Sequence, residues 1–126
     1  MTIIVICMAM TRMPRRGDVW LVDFDPSVGA EMRKVRPAVV LSRDRVGQLP
    51  LRVVVPLTMW KPRHARLPWF VPIPASAANG LNKDSSADTF QVKSVSEMRF
   101  TRYLGVLSAH ELDAIATAVA NVVGAP

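Results

Sequence analysis

Short hydrophobic stretches, separated by residues that break strands, follow one another along most of this chain. Several of them are rich in Val, Leu, Trp or Phe, which favours β-strands. The third stretch is apolar almost throughout, which is typical of a central strand, whereas its Pro56 indicates a bulge or an edge-facing position. The pattern predicts these strands: Asp18–Phe24, Pro37–Ser42, Leu51–Thr58, Trp69–Ile73, Thr89–Val95 and Arg99–Leu104.

Turn residues and one helical pattern complete the expected elements. Ala75–Ser86 is rich in turn residues, and the polar connector Arg43–Pro50 is expected to form one helical turn. Near the C-terminus, Ser108 and Glu111 have the spacing of a capping box, helically spaced hydrophobic residues follow, and Gly124 suits a helix end. The sequence therefore predicts a mainly β fold with helices, in which a C-terminal helix packs on a small, barrel-like sheet.

The first residues differ from the rest. Met1–Met10 is apolar, but it lacks a basic start and is too short to cross a bilayer. We expect residues 1–15 to be a disordered or mis-assigned extension and residues 16–126 to form one domain. With a single cysteine, Cys7, and no signal or membrane segment recognised, the cytoplasm is the expected location.

The net charge of +6 is unevenly distributed along the 126 residues. All 16 Lys and Arg residues precede Tyr103, whereas Glu111 and Asp113 are the charged residues that follow it. A basic body with a mildly acidic tail indicates a polyanionic partner such as a nucleic acid.

The segment Arg16–Ser42 places two strand-like runs on either side of a basic loop. Pro26 and Gly29 are typical of a loop, and Pro37 favours an extended conformation for the residue before it. The loop ends on three cations: Arg33, Lys34 and Arg36. A strand, a basic loop and a second strand form a plausible device for binding phosphate.

Ordered motifs over nearly the whole chain resemble the MazF/PemK toxin family. They are Arg16-Gly17-Asp18-Val19-Trp20, Asp23-Phe24-Asp25-Pro26, Gly29-Ala30-Glu31, Arg36-Pro37-Ala38-Val39-Val40-Leu41-Ser42, Lys83-Asp84-Ser85 and Gln91-Val92-Lys93-Ser94-Val95. The resemblance implies a CcdB/MazF-type barrel, related to SH3 barrels, that acts as a homodimeric, metal-independent endoribonuclease with no cofactor. It also implies single-stranded RNA as substrate, a small MazE-like antitoxin as partner, and no membrane association.

Three residues are candidates for catalysis. Cleaving RNA without a metal requires the 2′-hydroxyl to attack its own phosphodiester, and the resulting charge must be stabilised. Arg36, catalytic by the resemblance, has a guanidinium fork that can bind two phosphate oxygens. Thr58 resembles the second active-site position, and we expect its hydroxyl to meet Arg36 on one concave surface. Glu31 is the third candidate, as general base, although a carboxylate close to Arg36 would have a lowered pKa.

Other residues are candidates for contacts with RNA. Trp60 is expected to stack on an unpaired base. Five cations are expected to contact the backbone: Arg33, Lys34, Lys61, Arg63 and Lys93. Asp23 and Asp25 are expected on the same face of a strand, but no third acid joins them, so Asp25 is better explained as a turn residue before Pro26. We therefore predict no metal site.

Two alternatives from other functional classes remain open. A CcdB-like gyrase poison on the same fold would bind its target without nuclease chemistry, although the helix end, Val122–Pro126, has no obvious aromatic anchor. A non-catalytic RNA-binding barrel would keep the basic loops but would not need Arg36 and Thr58 together. Incubation with a long RNA, followed by mapping of the cut ends, separates these possibilities.

Overall fold

An antiparallel sheet of seven strands, followed by one helix, is the main regular structure in the residues that this computed structural model describes, 12–44 and 49–126. None of the helices in these ranges has the length and apolar character needed to cross a bilayer. The elements are β1 (Asp18–Asp23), β2 (Val35–Val40), β3 (Leu51–Met59), β4 (Phe70–Ile73), β5 (Ser85–Asp88), β6 (Lys93–Ser96), β7 (Phe100–Val106) and α1 (Ala109–Val122), with 3₁₀ turns at Pro62–Arg66, Thr89–Gln91 and Glu97–Arg99.

The strand order is β4-β5-β3-β2-β1-β7, and β6 also pairs with β3. β3 pairs along one side with β2, and along the other side first with β6 and then with β5. Pro56 therefore lies in a central strand, not at an edge. On the second side of β3 it falls between Val54, where pairing with β6 ends, and Leu57, where pairing with β5 begins. A proline is tolerated here because the strand changes partner.

Side chains on both faces of the central strands are buried, because successive residues of a strand point to opposite faces. One face packs against α1 through Leu112 and Ile115. The other face is covered by aromatic residues, with Phe100 and Tyr103 edge-on to Trp20. The expected fold class is confirmed: a mainly β structure with a C-terminal helix. In the described ranges no strand pairing joins β4 to β7, so the barrel-like sheet is open.

The helix begins as the sequence predicts. The Ser108 hydroxyl accepts a hydrogen bond from the Glu111 backbone N–H, and the Glu111 carboxylate accepts one from the Ser108 N–H, which completes the capping box. The buried positions Leu112, Ile115 and Ala118 follow helical spacing. The capping-box spacing in the sequence therefore predicted the start of α1 correctly.

Two elements differ from the prediction. Ser85 and Ser86, expected at the end of a turn region, instead begin the strand β5, in which both serines are buried with their hydroxyls hydrogen-bonded. Thr89–Val95, expected as one strand, is divided into a 3₁₀ turn and β6. Thr89 causes this division, since both its N–H and its hydroxyl donate to the Trp69 carbonyl. The helical turn expected in Arg43–Pro50 falls partly on residues 45–48, outside the described residues.

Residues 12–15, the last part of the expected N-terminal extension, contact the sheet. Pro14 is buried, and the Arg15 N–H donates to the Asp18 carboxylate at 2.9 Å. The Arg12 guanidinium lies 3.8 Å from the centroid of the Tyr103 ring. The expectation for residues 1–11 lies outside the described residues.

Candidate active site

A groove of about 320 Å³ opens between the ends of β2 and β3. Arg36 and Thr58 both line it, as expected for two strand ends that meet on a concave surface. Its floor is apolar and includes Pro37 and Leu57. The polar lining residues are Arg36, Thr58, Asn82, Lys83, Ser85 and Arg102.

Strand register explains why Arg36 and Thr58 meet. β2 and β3 pair from Val40–Val54 to Ala38–Pro56. The same register, continued by two residues, sets Arg36 opposite Thr58, with both side chains on the same face of the sheet. Backbone pairing between the two strands stops at Ala38–Pro56 in the described residues, and the groove lies beyond that point.

The Arg36 side chain is held at one end and free at the other. Its Nε donates to the Arg33 carbonyl at 3.0 Å, which orients the guanidinium plane. Within residues 12–44 and 49–126, the two terminal nitrogens make no hydrogen bond, and no carboxylate lies within 4.0 Å to neutralise them. A planar cation with two free donors is suited to bind two oxygens of one phosphate.

Two further cations line the groove that sequence reasoning did not assign to the site. Lys83 lies in the loop before β5, and Arg102 lies on β7, paired with Leu21 of β1. Lys83 belonged to a motif of the family resemblance, whereas Arg102 had no local signal. Together with Arg36 they make three positive charges, and no Asp or Glu lies among the groove's lining residues. The groove therefore favours a polyanion.

Glu31 lies elsewhere. It lines a separate depression with Gln91 and Lys93, and its carboxylate accepts the Val28 N–H at 2.7 Å. Gln91 fixes this loop by donating to the Ala30 carbonyl and accepting from the Met32 N–H, on either side of Glu31. The structure therefore does not bring Glu31 into the groove that holds Arg36 and Thr58, and Lys93 lies with Glu31.

The two aspartates of the basic loop do not share a strand face. β1 ends at Asp23, and Asp25 follows it outside the strand. The Asp23 carboxylate accepts the Asp25 N–H, and the Asp25 carboxylate accepts the Lys34 N–H at 3.0 Å. These acids organise the loop, with Lys34 at a φ of 64°. Over the described residues, no group of three or more His, Cys, Asp or Glu side chains is placed to hold a metal ion.

The remaining candidates for RNA contacts lie at the surface. Arg33, at the end of the basic loop, is exposed and donates to the Gly29 carbonyl. Trp60, Lys61 and Arg63 are exposed after the end of β3, around a second pocket.

That second pocket contains a buried histidine that sequence reasoning did not assign to any site. His64 is 4% exposed and stacks on Phe70 with ring centroids 3.9 Å apart. Burial, together with the charges of Arg63 and Lys61, lowers the pKa of His64, and Asp88 opposes this shift. The imidazole is therefore favoured in its neutral form. Burial also raises the pKa of the Asp88 carboxyl.

Comparison with known proteins agrees with this geometry. A family model described as PemK-like, MazF-like toxin of type II toxin–antitoxin system matches residues 15–123. The chain belongs to this family. The resemblance expected from the sequence motifs is thus confirmed.

Individual members of the MazF/PemK family show the same relationship. Endoribonuclease MazF9 of Mycobacterium tuberculosis is 37% identical over 106 residues, which cover 79% of this chain and 87% of that protein. Endoribonuclease MazF of Staphylococcus saprophyticus is 30% identical over 107 residues, covering 85% of this chain and 88% of that protein. The solved structure of Mycobacterium tuberculosis toxin MazF-mt6 superposes with a TM-score of 0.68 at 25% identity, covering 86% of this chain and 98% of that one.

Proposed function

We propose that this protein is the toxin of a type II toxin–antitoxin system and an endoribonuclease that cleaves single-stranded RNA. Family membership supports the reaction class, and the relatives named above are endoribonucleases. The observation that carries the proposal is the free guanidinium fork of Arg36 beside Thr58, in a groove lined by cations. We also propose that the protein acts on this RNA in the cytoplasm.

The groove favours attack by the substrate's own 2′-hydroxyl. The 2′-oxygen bonds to phosphorus while the bond from phosphorus to the 5′-oxygen breaks, leaving a 2′,3′-cyclic phosphate and a 5′-hydroxyl. Arg36 binds the phosphoryl oxygens and stabilises the charge that develops on them. The Thr58 hydroxyl donates to a phosphate oxygen and orients it. Because the lining side chains are cationic rather than carboxylate, they are suited to bind phosphate directly, without a metal.

The reaction also moves two protons. One leaves the 2′-hydroxyl and one reaches the departing 5′-oxygen. Glu31 remains a prediction for the base, but it does not line the groove, and none of the lining residues is a carboxylate or a histidine. We therefore propose that the 2′-proton passes to solvent and that solvent protonates the departing 5′-oxygen. Lys83 and Arg102 supply further positive charge around the phosphate, and we propose that they hold the adjoining backbone.

The proposed partners follow from the same surface. A groove with three cations and no acid is complementary to the acidic segment of a MazE-like antitoxin, which would block RNA by covering it. We propose a symmetric homodimer as the active assembly. Solution scattering should give a dimeric mass at micromolar concentration, and a monomeric mass would contradict this part of the proposal.

Cleavage products test the proposed function. Purified protein is incubated with a long RNA in excess EDTA, and the ends are mapped. We expect cuts within single-stranded segments that leave a cyclic phosphate and a 5′-hydroxyl. A substrate with deoxyribose before the cut should resist cleavage. Cutting of the deoxy substrate at the same bond would show an external nucleophile, and no cutting of any RNA would favour a gyrase poison or a non-catalytic RNA-binding protein.

A further inference from the structure

The second pocket, with a volume of about 400 Å³, lies between the 3₁₀ turn Pro62–Arg66 and the β4–β5 pair. We call it the His64 pocket. Its lining residues are Trp60, His64, Ala65, Phe70, Pro72 and Ser86. None of them has a place in the function proposed above, although the sequence analysis predicts that Trp60 contacts RNA.

Strand register places the His64 pocket next to Thr58. Thr58 of β3 pairs with Ser86 of β5, and Ser86 pairs in turn with Pro72 of β4. Directly paired residues of antiparallel strands point to the same face of a sheet. Thr58 of the groove therefore shares a row with two residues of the pocket. Neighbouring strands lie about 4.8 Å apart, so the pocket begins one strand spacing from Thr58.

One hydrogen bond favours a particular tautomer of His64. Its Nδ1 accepts the Lys61 backbone N–H at 3.2 Å, which favours the neutral ring with its proton on Nε2. The Ser86 hydroxyl oxygen also lies 2.8 Å from Nδ1. Nε2 itself has no hydrogen-bond partner within residues 12–44 and 49–126. Because no buried side-chain nitrogen or oxygen in those ranges lacks a partner, Nε2 is open to solvent.

The rest of the pocket is aromatic and apolar, with cations outside it. Trp60 is 40% exposed, and Phe70 lies nearly parallel to the His64 ring, at 12°. Lys61 and Arg63 are exposed on the adjoining turn. Flat apolar walls, one oriented N–H donor and nearby positive charge match a nucleobase that is attached to a phosphate backbone. An aliphatic ligand would leave the donor unsatisfied.

We propose that the His64 pocket binds one unpaired nucleobase of the RNA, next to the nucleotide whose phosphate lies between Arg36 and Thr58. The indole of Trp60 stacks on this base, and His64 Nε2–H donates to an acceptor at its edge. Every nucleobase carries at least one edge acceptor, a carbonyl oxygen or a ring nitrogen, that can take this bond. This inference rests on the proposed function, because that function supplies the RNA.

Removal of single bases tests the pocket. An oligonucleotide is selected for binding to the wild-type protein from a random pool of 2′-fluoro RNA, which has no 2′-hydroxyl and cannot be cut by the proposed reaction. Each nucleotide is then replaced in turn by an abasic one, and affinities are measured by fluorescence anisotropy. We expect one position at which loss of the base weakens wild-type binding about tenfold. In Trp60→Ala, the same loss should change affinity less than about twofold, because the stacking partner is already gone.

Variants and controls make the outcome decisive. His64→Gln should reduce the effect at the same position, whereas His110→Gln, at an exposed histidine of α1, should keep the wild-type profile. If His64→Gln fails to fold, the comparison of wild type with Trp60→Ala still decides the test, because Trp60 is exposed. Equal abasic effects in wild type and Trp60→Ala at every position, or no binding of any sequence, would overturn the inference.

The cleavage assay separates this inference from the proposed function. If the protein cuts RNA but Trp60 shows no coupling to any base, the pocket proposal is refuted and the proposed nuclease function stands. If Trp60 is coupled to one base but no RNA is cut, base binding by the pocket is supported and the proposed nuclease function is refuted.

Discussion

Replacing Arg36 by lysine retains the positive charge and removes the fork. In the structure, Nε is anchored on the Arg33 carbonyl at 3.0 Å, and two terminal nitrogens remain free. Lysine offers one nitrogen and loses the anchor, so at least one oriented donor to the phosphoryl group disappears. Removal of one such preorganised donor typically lowers the rate about 10²–10³-fold, or about 2.7–4 kcal/mol of transition-state stabilisation. We expect Arg36→Lys to lose activity within that range.

The same contacts indicate that this loss will be catalytic rather than structural. Arg36 is half-buried and makes no ion pair within the described residues, so the lost hydrogen bond should change the free energy of unfolding by no more than about 1 kcal/mol. Arg66→Lys is the matched control, because Arg66 is exposed and lines neither the groove nor the His64 pocket.

Single-turnover cleavage of a short RNA separates these effects. The rate constant at saturating enzyme reports the chemical step, and urea unfolding reports stability. Cleavage by folded Arg36→Lys within about threefold of wild type would refute the role of the fork, since simple charge would then be enough.

Three other predictions follow from individual contacts. Glu31→Gln should retain cleavage within about tenfold in the same single-turnover assay, because the carboxylate lies outside the groove, whereas a loss of about 100-fold or more would identify it as the base. Gly105→Ala should lower the free energy of unfolding by about 2–3 kcal/mol in urea titrations, because the new Cβ would meet the backbone of Ala78 and Asn79; an unchanged midpoint would contradict this close approach. The pKa of His64 is lowered from 6.5, so as pH falls through 6.5 the unfolded chain takes up the proton first and stability is lost, whereas above 6.5 this contribution is constant. The wild-type urea midpoint should therefore drop between about pH 7.5 and pH 5.5, and His64→Gln should reduce that drop.

The sequence predicted those features that depend on neighbouring residues. Strands such as β1 and β3 carry their own hydrophobic pattern, and Ser108 with Glu111 marks the start of α1. β5 was missed because its serines look like turn residues, and the burial of Ser86 is made possible by a distant partner, His64. No local pattern contains that partner.

In the candidate site, too, the sequence predicted the residues that have a local pattern and missed those that depend on distant parts of the chain. Arg36 and Thr58 were predicted because family motifs and strand ends point to them. Arg102 was missed because it enters the groove only through the register of β7 on β1, which the sequence does not specify. The expected role of Glu31 depended on loop geometry, and the loop turns its carboxylate back onto the Val28 N–H.

The span of chain that builds the groove also determines when the groove can form as the protein folds. The lining residues run from Leu21 on the first strand to Leu104 on the last, so the groove lacks a wall until β7 has paired with β1. A chain in which that pairing has not formed therefore has no complete groove in which RNA could be bound, although Arg36 and Thr58 lie on other strands.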